Sequence, residues 1–219
     1  MIRIEIWSDV VCPFCYMGKR RLENALEQFP AKDEVEILWH SLQLDPSAKK
    51  EEGKDIYDHL AEKYGQDREW AKAVNANLVE NARKVGLEYN FDRVIPTNTF
   101  DAHRLIHFAA SRGLQGEAEE RLFAAYFTEG KDLSDLNALV QLGTEVGLDA
   151  DEVRKSIESS DYADAVRRDI QEAESLGINA VPFFMFNRKY AISGAQPIHL
   201  FLESLQKISE EERSPAAGA

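Results

Sequence analysis

What most constrains this chain is the placement of its β-type segments: both ends carry them and the middle carries none. Residues 2–7, Ile-Arg-Ile-Glu-Ile-Trp, alternate apolar and polar side chains with the two-residue period of a strand. Glu34 to Leu44 holds a second β-rich run, closed by Asp45-Pro46. From Asp55 to Gly177 only helical periodicity follows. Its helix stops are glycines followed by an aliphatic residue: Gly86-Leu87, Gly113-Leu114, Gly147-Leu148 and Gly177-Ile178. The segments between them differ in length and pattern, so they do not mark a repeat. Strand character returns in Val181–Phe186 and Tyr190–Ser193, with Asn187-Arg188-Lys189 as the turn and a last helix expected over Ile198–Ile208. The outline is βαβ, a helical insertion, then ββα. The expected class is therefore α/β: one sheet domain from residues 1–52 and 178–208, joined by part of the helix ending near 177, an all-α insertion over 53–165, and a flexible tail over 209–219.

A chain of 219 residues can bury roughly 70% of its unfolded surface and needs no covalent staples. The net charge of −13 argues against nucleic acid or an anionic membrane as partner. The local basic run Lys19-Arg20-Arg21 reads as a solvated helical face. No apolar stretch nears the ~18 residues that span a bilayer. The opening Met-Ile-Arg-Ile-Glu-Ile-Trp reads as a strand, not a secretory signal, so the expected location is cytoplasmic, where thiols stay reduced. A monomer or a homodimer is expected.

Only two cysteines occur, Cys12 and Cys15, in the stretch Trp7-Ser-Asp-Val-Val-Cys-Pro-Phe-Cys-Tyr-Met-Gly18. Pro13 suits the first helical position, and Cys15, Gly18, Leu22, Ala25, Leu26 and Phe29 share one face of a helix over 13–29. The pair can be a redox couple, half of a metal site, or two small buried side chains. At the mouth of a helix, unpaired N–H groups and the helix dipole favour a Cys12 thiolate. Cys15 follows one turn later on the same side, close enough for a disulfide. This assigns attack to an exposed Cys12 and resolution to a more enclosed Cys15. A zinc site needs two more ligands, and only His103 and His107 have suitable spacing. Both fall on or beside the polar face of a helix over Phe100–Ser111. The redox reading is preferred and no metal is expected.

Together with the long helical insertion and with Gly177-Ile-Asn-Ala-Val-Pro-Phe-Phe184 and Ser193-Gly-Ala-Gln196, the cysteine stretch resembles the DsbA-like thioredoxin superfamily. Within it the chain looks closest to the cytosolic FrnE-like branch, related to 2-hydroxychromene-2-carboxylate isomerases and kappa-class glutathione transferases. The resemblance implies a thioredoxin-like fold with a large inserted all-α domain. It implies a cis Pro182 facing Cys12 and Cys15, with the Val181 backbone pairing with an extended substrate. Pro13 and Phe14 are further expected substrate contacts. Asn98-Thr-Phe-Asp-Ala-His-Arg104 resembles a segment that overhangs the site in such relatives, which nominates Asn98 and His103; His40, on the second strand, is another candidate. Two departures stand out. Where thioredoxins carry a buried acid, six residues before the first cysteine, this chain has Ile6, so a proton acceptor is unassigned; Glu5 should face the opposite side. Isomerase and kappa-type relatives have serine at the Cys12 position. The expected function is thiol–disulfide oxidoreduction on protein or small-molecule disulfides and thiols. No metal or organic cofactor is required, and glutathione is an optional redox partner or cosubstrate. The rivals are a glutathione-dependent isomerase or transferase and a non-enzymatic redox-sensing or holdase protein.

Overall fold

The computed structural model describes residues 1–49 and 53–213. Strand β1 (Ile2–Ser8), helix α1 (Pro13–Glu27) and strand β2 (Val35–Ser41) form the opening βαβ unit. Helices α2 (Ile56–Tyr64), α3 (Arg68–Arg83), α4 (Phe100–Ala110), α5 (Gln115–Ala124), α6 (Leu136–Glu145), α7 (Ala150–Glu158) and α8 (Ala163–Ser175) follow. Strands β3 (Phe183–Phe186) and β4 (Tyr190–Ser193) and helix α9 (Ile198–Arg213) close the described chain. The sheet order is β2-β1-β3-β4. β1 runs parallel to β2, with Trp7 opposite His40, and antiparallel to β3, with Ile6 opposite Phe184. The two ends of the chain therefore share one sheet, as their patterning requires.

Alternation along β1 separates two environments. Ile2, Ile4 and Ile6 point to the face covered by α1 and α9, where they pack with Leu22, Phe184 and Phe201. Trp7 faces the other way, against Ala173 of α8 and Ile178. Glu5 is buried, and Arg188 reaches it with Nε 2.7 Å from Oε2.

The glycine stops work as their spacing predicts. Gly86, Gly113, Gly147 and Gly177 all take positive φ. The amides of Leu87, Leu114, Leu148 and Ile178 fold back onto the carbonyls of Ala82, Ala109, Gly143 and Ala173, which satisfies helix-end acceptors.

Helix α1 serves two cores. One face packs on the sheet; the other carries Cys12, Cys15, Tyr16 and Met17 into the core of the helical lobe. There Tyr16 stacks on Phe123 at 4.8 Å. The basic run is not a solvated face: Lys19 is 7% exposed and pairs with Glu23 and with Glu120 of α5, and Arg20 reaches Glu120 at 2.7 Å. The pairs with Glu120 bind α1 to the lobe because an acidic partner a hundred residues away arrives beside them.

Several boundaries differ from expectation. α1 ends at Glu27 and β2 at Ser41. The lobe boundary expected at residue 165 falls inside α8, a continuous helix that packs on both β2 and α4. α9 runs to Arg213, so residues 209–213 are helical, not a flexible tail; Glu211 there bonds Lys189 and Tyr190 of the β3–β4 hairpin. Residues 214–219 lie outside the described part. Among the described residues no helix is long and apolar enough to cross a membrane.

Candidate active site

Cys12 is the N-cap of α1, in extended conformation (φ −89°, ψ 111°), and Pro13 occupies the first helical turn. The Cys12 sulfur accepts the Cys15 amide at 3.3 Å, and its thiol donates to the Val181 carbonyl at 3.7 Å. Cys12 and Cys15 lie 3.1 Å apart without a bond between them. The Val181–Pro182 peptide is cis. Gly18 lets α1 approach this segment: a Cβ there would sit 3.0 Å from both the Pro182 and Phe184 side chains.

The expected exposure of Cys12 is corrected: it is only 3% exposed, because Val181 and the helical lobe close over it. It borders a cleft of about 500 Å³ whose walls include Phe14, Ile56, Leu60, Leu78, Phe91 and Val181. Phe14, 49% exposed, stands at the mouth. Tyr89 donates its hydroxyl to the Pro13 carbonyl at 2.6 Å, fixing the cysteine turn from the lobe side. Cys15 is buried behind Cys12. Burial foremost, then the hydrogen bond and charge of Cys12, push its thiol well up; the Asp9 amide and the Ser8 hydroxyl act in the opposite sense.

Cys12, Cys15, Pro13, Phe14, Val181 and Pro182 thus come together. The other three candidates do not border the cleft. Asn98 accepts from Gln43 and from the Phe100 amide and donates to the Pro46 carbonyl, so it organises the start of α4. His40 stacks on Trp7 at 4.5 Å and its Nδ1 lies 3.0 Å from Asp169 Oδ1; His107 Nε2 lies 3.0 Å from the other Asp169 oxygen. His103 is 1% exposed, not at the border of a polar face, and its Nε2 faces Asp9 Oδ1 at 3.4 Å. α4 is packed by α5, α6, α7 and α8, so its periodicity gave no reliable outer face.

Among the described residues the donor atoms that converge within 4.8 Å, close enough for an ion, belong to His40, Asp169 and Glu172, not to the cysteines. Arg188 already sits on Glu172 at 2.7 Å and on Glu5, which makes this an internally neutralised network. Sequence reasoning missed Ser8, Asp9, Tyr89, Glu119 and Asp169. For Ser8 and Asp9 a signal existed, since polar residues directly between a buried strand and a reactive helix tip need a local partner.

A model of the DSBA-like thioredoxin domain matches residues 3–206. The chain belongs to that family. It is similar to the uncharacterized protein YwbO of Bacillus subtilis (strain 168), with 32% identity over 214 residues that cover 97% of this chain and 98% of that one. The crystal structure of the probable DsbA oxidoreductase SCO1869 from Streptomyces coelicolor superposes with a TM-score of 0.92 at 39% identity, covering 100% of this chain and 94% of the other. The cytosolic disulfide reductase DsbM from Pseudomonas aeruginosa, solved with GSH, shares the fold at 15% identity and a TM-score of 0.65, covering 95% of this chain and 99% of its own.

Proposed function

We propose that this protein is a thiol–disulfide oxidoreductase that works through Cys12 and Cys15 in a reducing, cytoplasmic compartment. The observation that carries the reading is the helix-tip Cys12, bordering a cleft beside the Val181 backbone, with the free Cys15 thiol directly behind it. Cys12 thiolate attacks one sulfur of a substrate disulfide. A Cys12–substrate disulfide forms and the other substrate sulfur leaves as thiolate. Cys15 thiolate then attacks Cys12 sulfur, closing the Cys12–Cys15 disulfide and releasing the second substrate thiolate. The substrate gains two electrons and the protein loses two; run backwards, the oxidised pair accepts a substrate thiolate. Val181 and Pro182 position the substrate chain, and Pro13 and Phe14 line its entry. The exchange requires no metal or organic cofactor.

The cleft favours an apolar segment flanking the substrate sulfur. Its charged lining groups, Asp45, His59 and Lys63, pair with one another, with Asp45 3.8 Å from His59 and 3.3 Å from Lys63. Among the described residues they are the cleft's charged groups, and Asp45 already engages both basic side chains, which weakens their hold on the carboxylates of glutathione. Glutathione therefore ranks below apolar disulfides as partner, although the DsbM structure was solved with GSH.

Cys15→Ala tests the reading. It should accumulate a stable mixed disulfide at Cys12, with mass spectrometry identifying the partner. A Cys12→Ser variant that still turns over a glutathione-dependent isomerisation substrate, while Cys15→Ala traps nothing, would replace this reading with the isomerase one.

A further inference from the structure

Cys15 can attack only after losing its proton, and it lies buried where bulk water does not reach. The acceptor must therefore be internal. Behind the two cysteines, three elements converge on a set of buried ionisable groups that the exchange chemistry has not used. Ser8, the last residue of β1, places its hydroxyl beside the Cys15 thiol. Asp9, the next residue, is fully buried; its Oδ2 accepts the Leu44 amide at 2.7 Å and its Oδ1 faces His103 of α4. Glu119 of α5 is buried with them. Ser8 Oγ, Asp9 Oδ1, both ring nitrogens of His103 and Glu119 Oε2 all lack a partner of good hydrogen-bond geometry. Such a concentration of unused hydrogen-bonding capacity is costly, and native proteins retain it where function needs it.

We propose that the Asp9–His103–Glu119 cluster takes up the proton that Cys15 sheds before it attacks. This inference rests on the oxidoreductase reading. In the resolving step the Cys15 S–H bond breaks and its proton passes into the cluster. The Cys15 sulfur forms the bond to Cys12 sulfur, the bond from Cys12 to the substrate breaks, and the substrate thiolate takes its own proton from solvent at the cleft. When the pair is reduced again, the cluster returns its proton to Cys15. The groups facing His103 are Asp9 from the β1–α1 loop, Glu119 from α5 and Asp169 from α8, with Lys19 of α1 acting on Glu119. Burial alone would keep His103 neutral, yet Asp9 foremost and then Glu119 hold it above the ordinary histidine range. Burial lifts Glu119 to about 7. Glu119 therefore exchanges its proton near neutral pH, while His103 holds its proton more tightly than an ordinary imidazole. The acids are not interchangeable with Glu5, which Arg188 and His40 engage on the α8 side of the sheet.

The test separates the two thiol steps with an aromatic pyridyl disulfide in stopped flow, from about pH 5.5 to 9, a range that brackets the histidine and thiol values. Glu119→Gln, which keeps the side chain's size, should slow closure of the Cys12–Cys15 disulfide about 100-fold near neutral pH, the scale of a lost internal base. The pH dependence of closure should move upward, toward that of an unassisted thiol. Alkylation of Cys12 in a Cys15→Ala background should proceed at the same rate with or without Glu119→Gln. His103→Gln, which removes the cation that acts on Glu119, should shift the closure profile and serves where Glu119→Gln does not fold. Closure with an unchanged rate and profile in a folded variant overturns the inference, as does equal slowing of both thiol steps. A wild-type protein that forms no mixed disulfide at all overturns the oxidoreductase reading itself, and this inference with it.

Discussion

A methyl group added at Gly18 tests how closely α1 must lie against the Val181–Phe184 segment. The new Cβ would stand 3.0 Å from Pro182 Cγ and Phe184 Cζ, against an optimal carbon–carbon separation of about 3.5–4.0 Å. Phe184 is fully buried and has nowhere to swing, and the Pro182 ring can change only its pucker. The two elements must part by roughly half an ångström to one ångström to restore that separation. Two energies oppose each other. Alanine improves on glycine within a helix by about 1 kcal/mol, whereas overpacking a filled contact costs about 1–3 kcal/mol. Overpacking wins, for a net loss of about 1 kcal/mol. The larger effect falls on chemistry, because the Val181 carbonyl, 3.7 Å from the Cys12 sulfur, moves with Pro182. Displacements of this size at a reacting centre cost about 10-fold to 100-fold in rate. Gly116→Ala is the matched control: nothing lies within 4 Å of its added Cβ, so it should raise stability by up to about 1 kcal/mol and leave exchange untouched. Urea unfolding and stopped-flow disulfide reduction read both variants. If Gly18→Ala stabilises the protein as Gly116→Ala does, at wild-type exchange rate, the close-contact argument is wrong.

Two further outcomes concern the helical lobe and its join to the sheet. Burial alone would raise Asp169, but hydrogen bonds from His107, His40 and the Ser41 amide outweigh it and hold the carboxyl far below the usual range. Burial alone would lower His40, but Asp169 and Glu5 outweigh it and hold the imidazole above its ordinary value. A raised folded value means that the His40 contribution is complete below its unfolded pKa of about 6.5 and fades as pH rises through the folded value. The Asp169 contribution is present above its unfolded value of about 3.9 and disappears only in stronger acid. The melting temperature should therefore fall from about pH 6 to 9. That slope should flatten in Asp169→Asn, leaving the parts due to His103 and, up to about pH 7, to Glu119; an equally steep slope in the variant would contradict the assignment. Arg104, buried in α4, donates to the carbonyls of Ser156, Ile157, Ser159 and Asp161 at the end of α7. Ser156 and Ile157 are buried residues, so Arg104→Met should leave two acceptors dry and cost about 2–5 kcal/mol by chemical denaturation. Arg104→Lys should fall between, and a loss in Arg104→Met below about 1 kcal/mol would show that the carbonyls find other donors.

The parts of this molecule that could be read in advance are those encoded by neighbours in the chain. Alternation in residues 2–7 defined β1, Pro13 after Cys12 defined the helix start, and glycine–aliphatic pairs marked four helix ends. The likeness of Val-Pro-Phe-Phe to a known motif placed Val181 and Pro182 opposite the cysteines. What escaped were polar groups whose partners lie far away in sequence. Lys19 and Arg20 looked solvated because Glu120 is on another helix. His40 and His103 were cleft candidates because Asp169 carries no local signature and the position of Asp9, though suggestive, does not name its partner. The face of α4 was misjudged for the same reason: helical periodicity reports one buried side, and a helix enclosed by four others has none left over.

The sharing of α1 between two cores has a practical consequence. Tyr16 and Met17 face the helices, and the Pro13 carbonyl is held by Tyr89 from the lobe. Cutting out the insertion to obtain a miniature enzyme would strip away the wall against which both sulfurs are packed. The remaining fragment would present an oily, reactive flank to solvent and to its own copies. Any attempt to transplant this chemistry onto a smaller scaffold must carry over parts of the helical lobe as well as the four-residue motif.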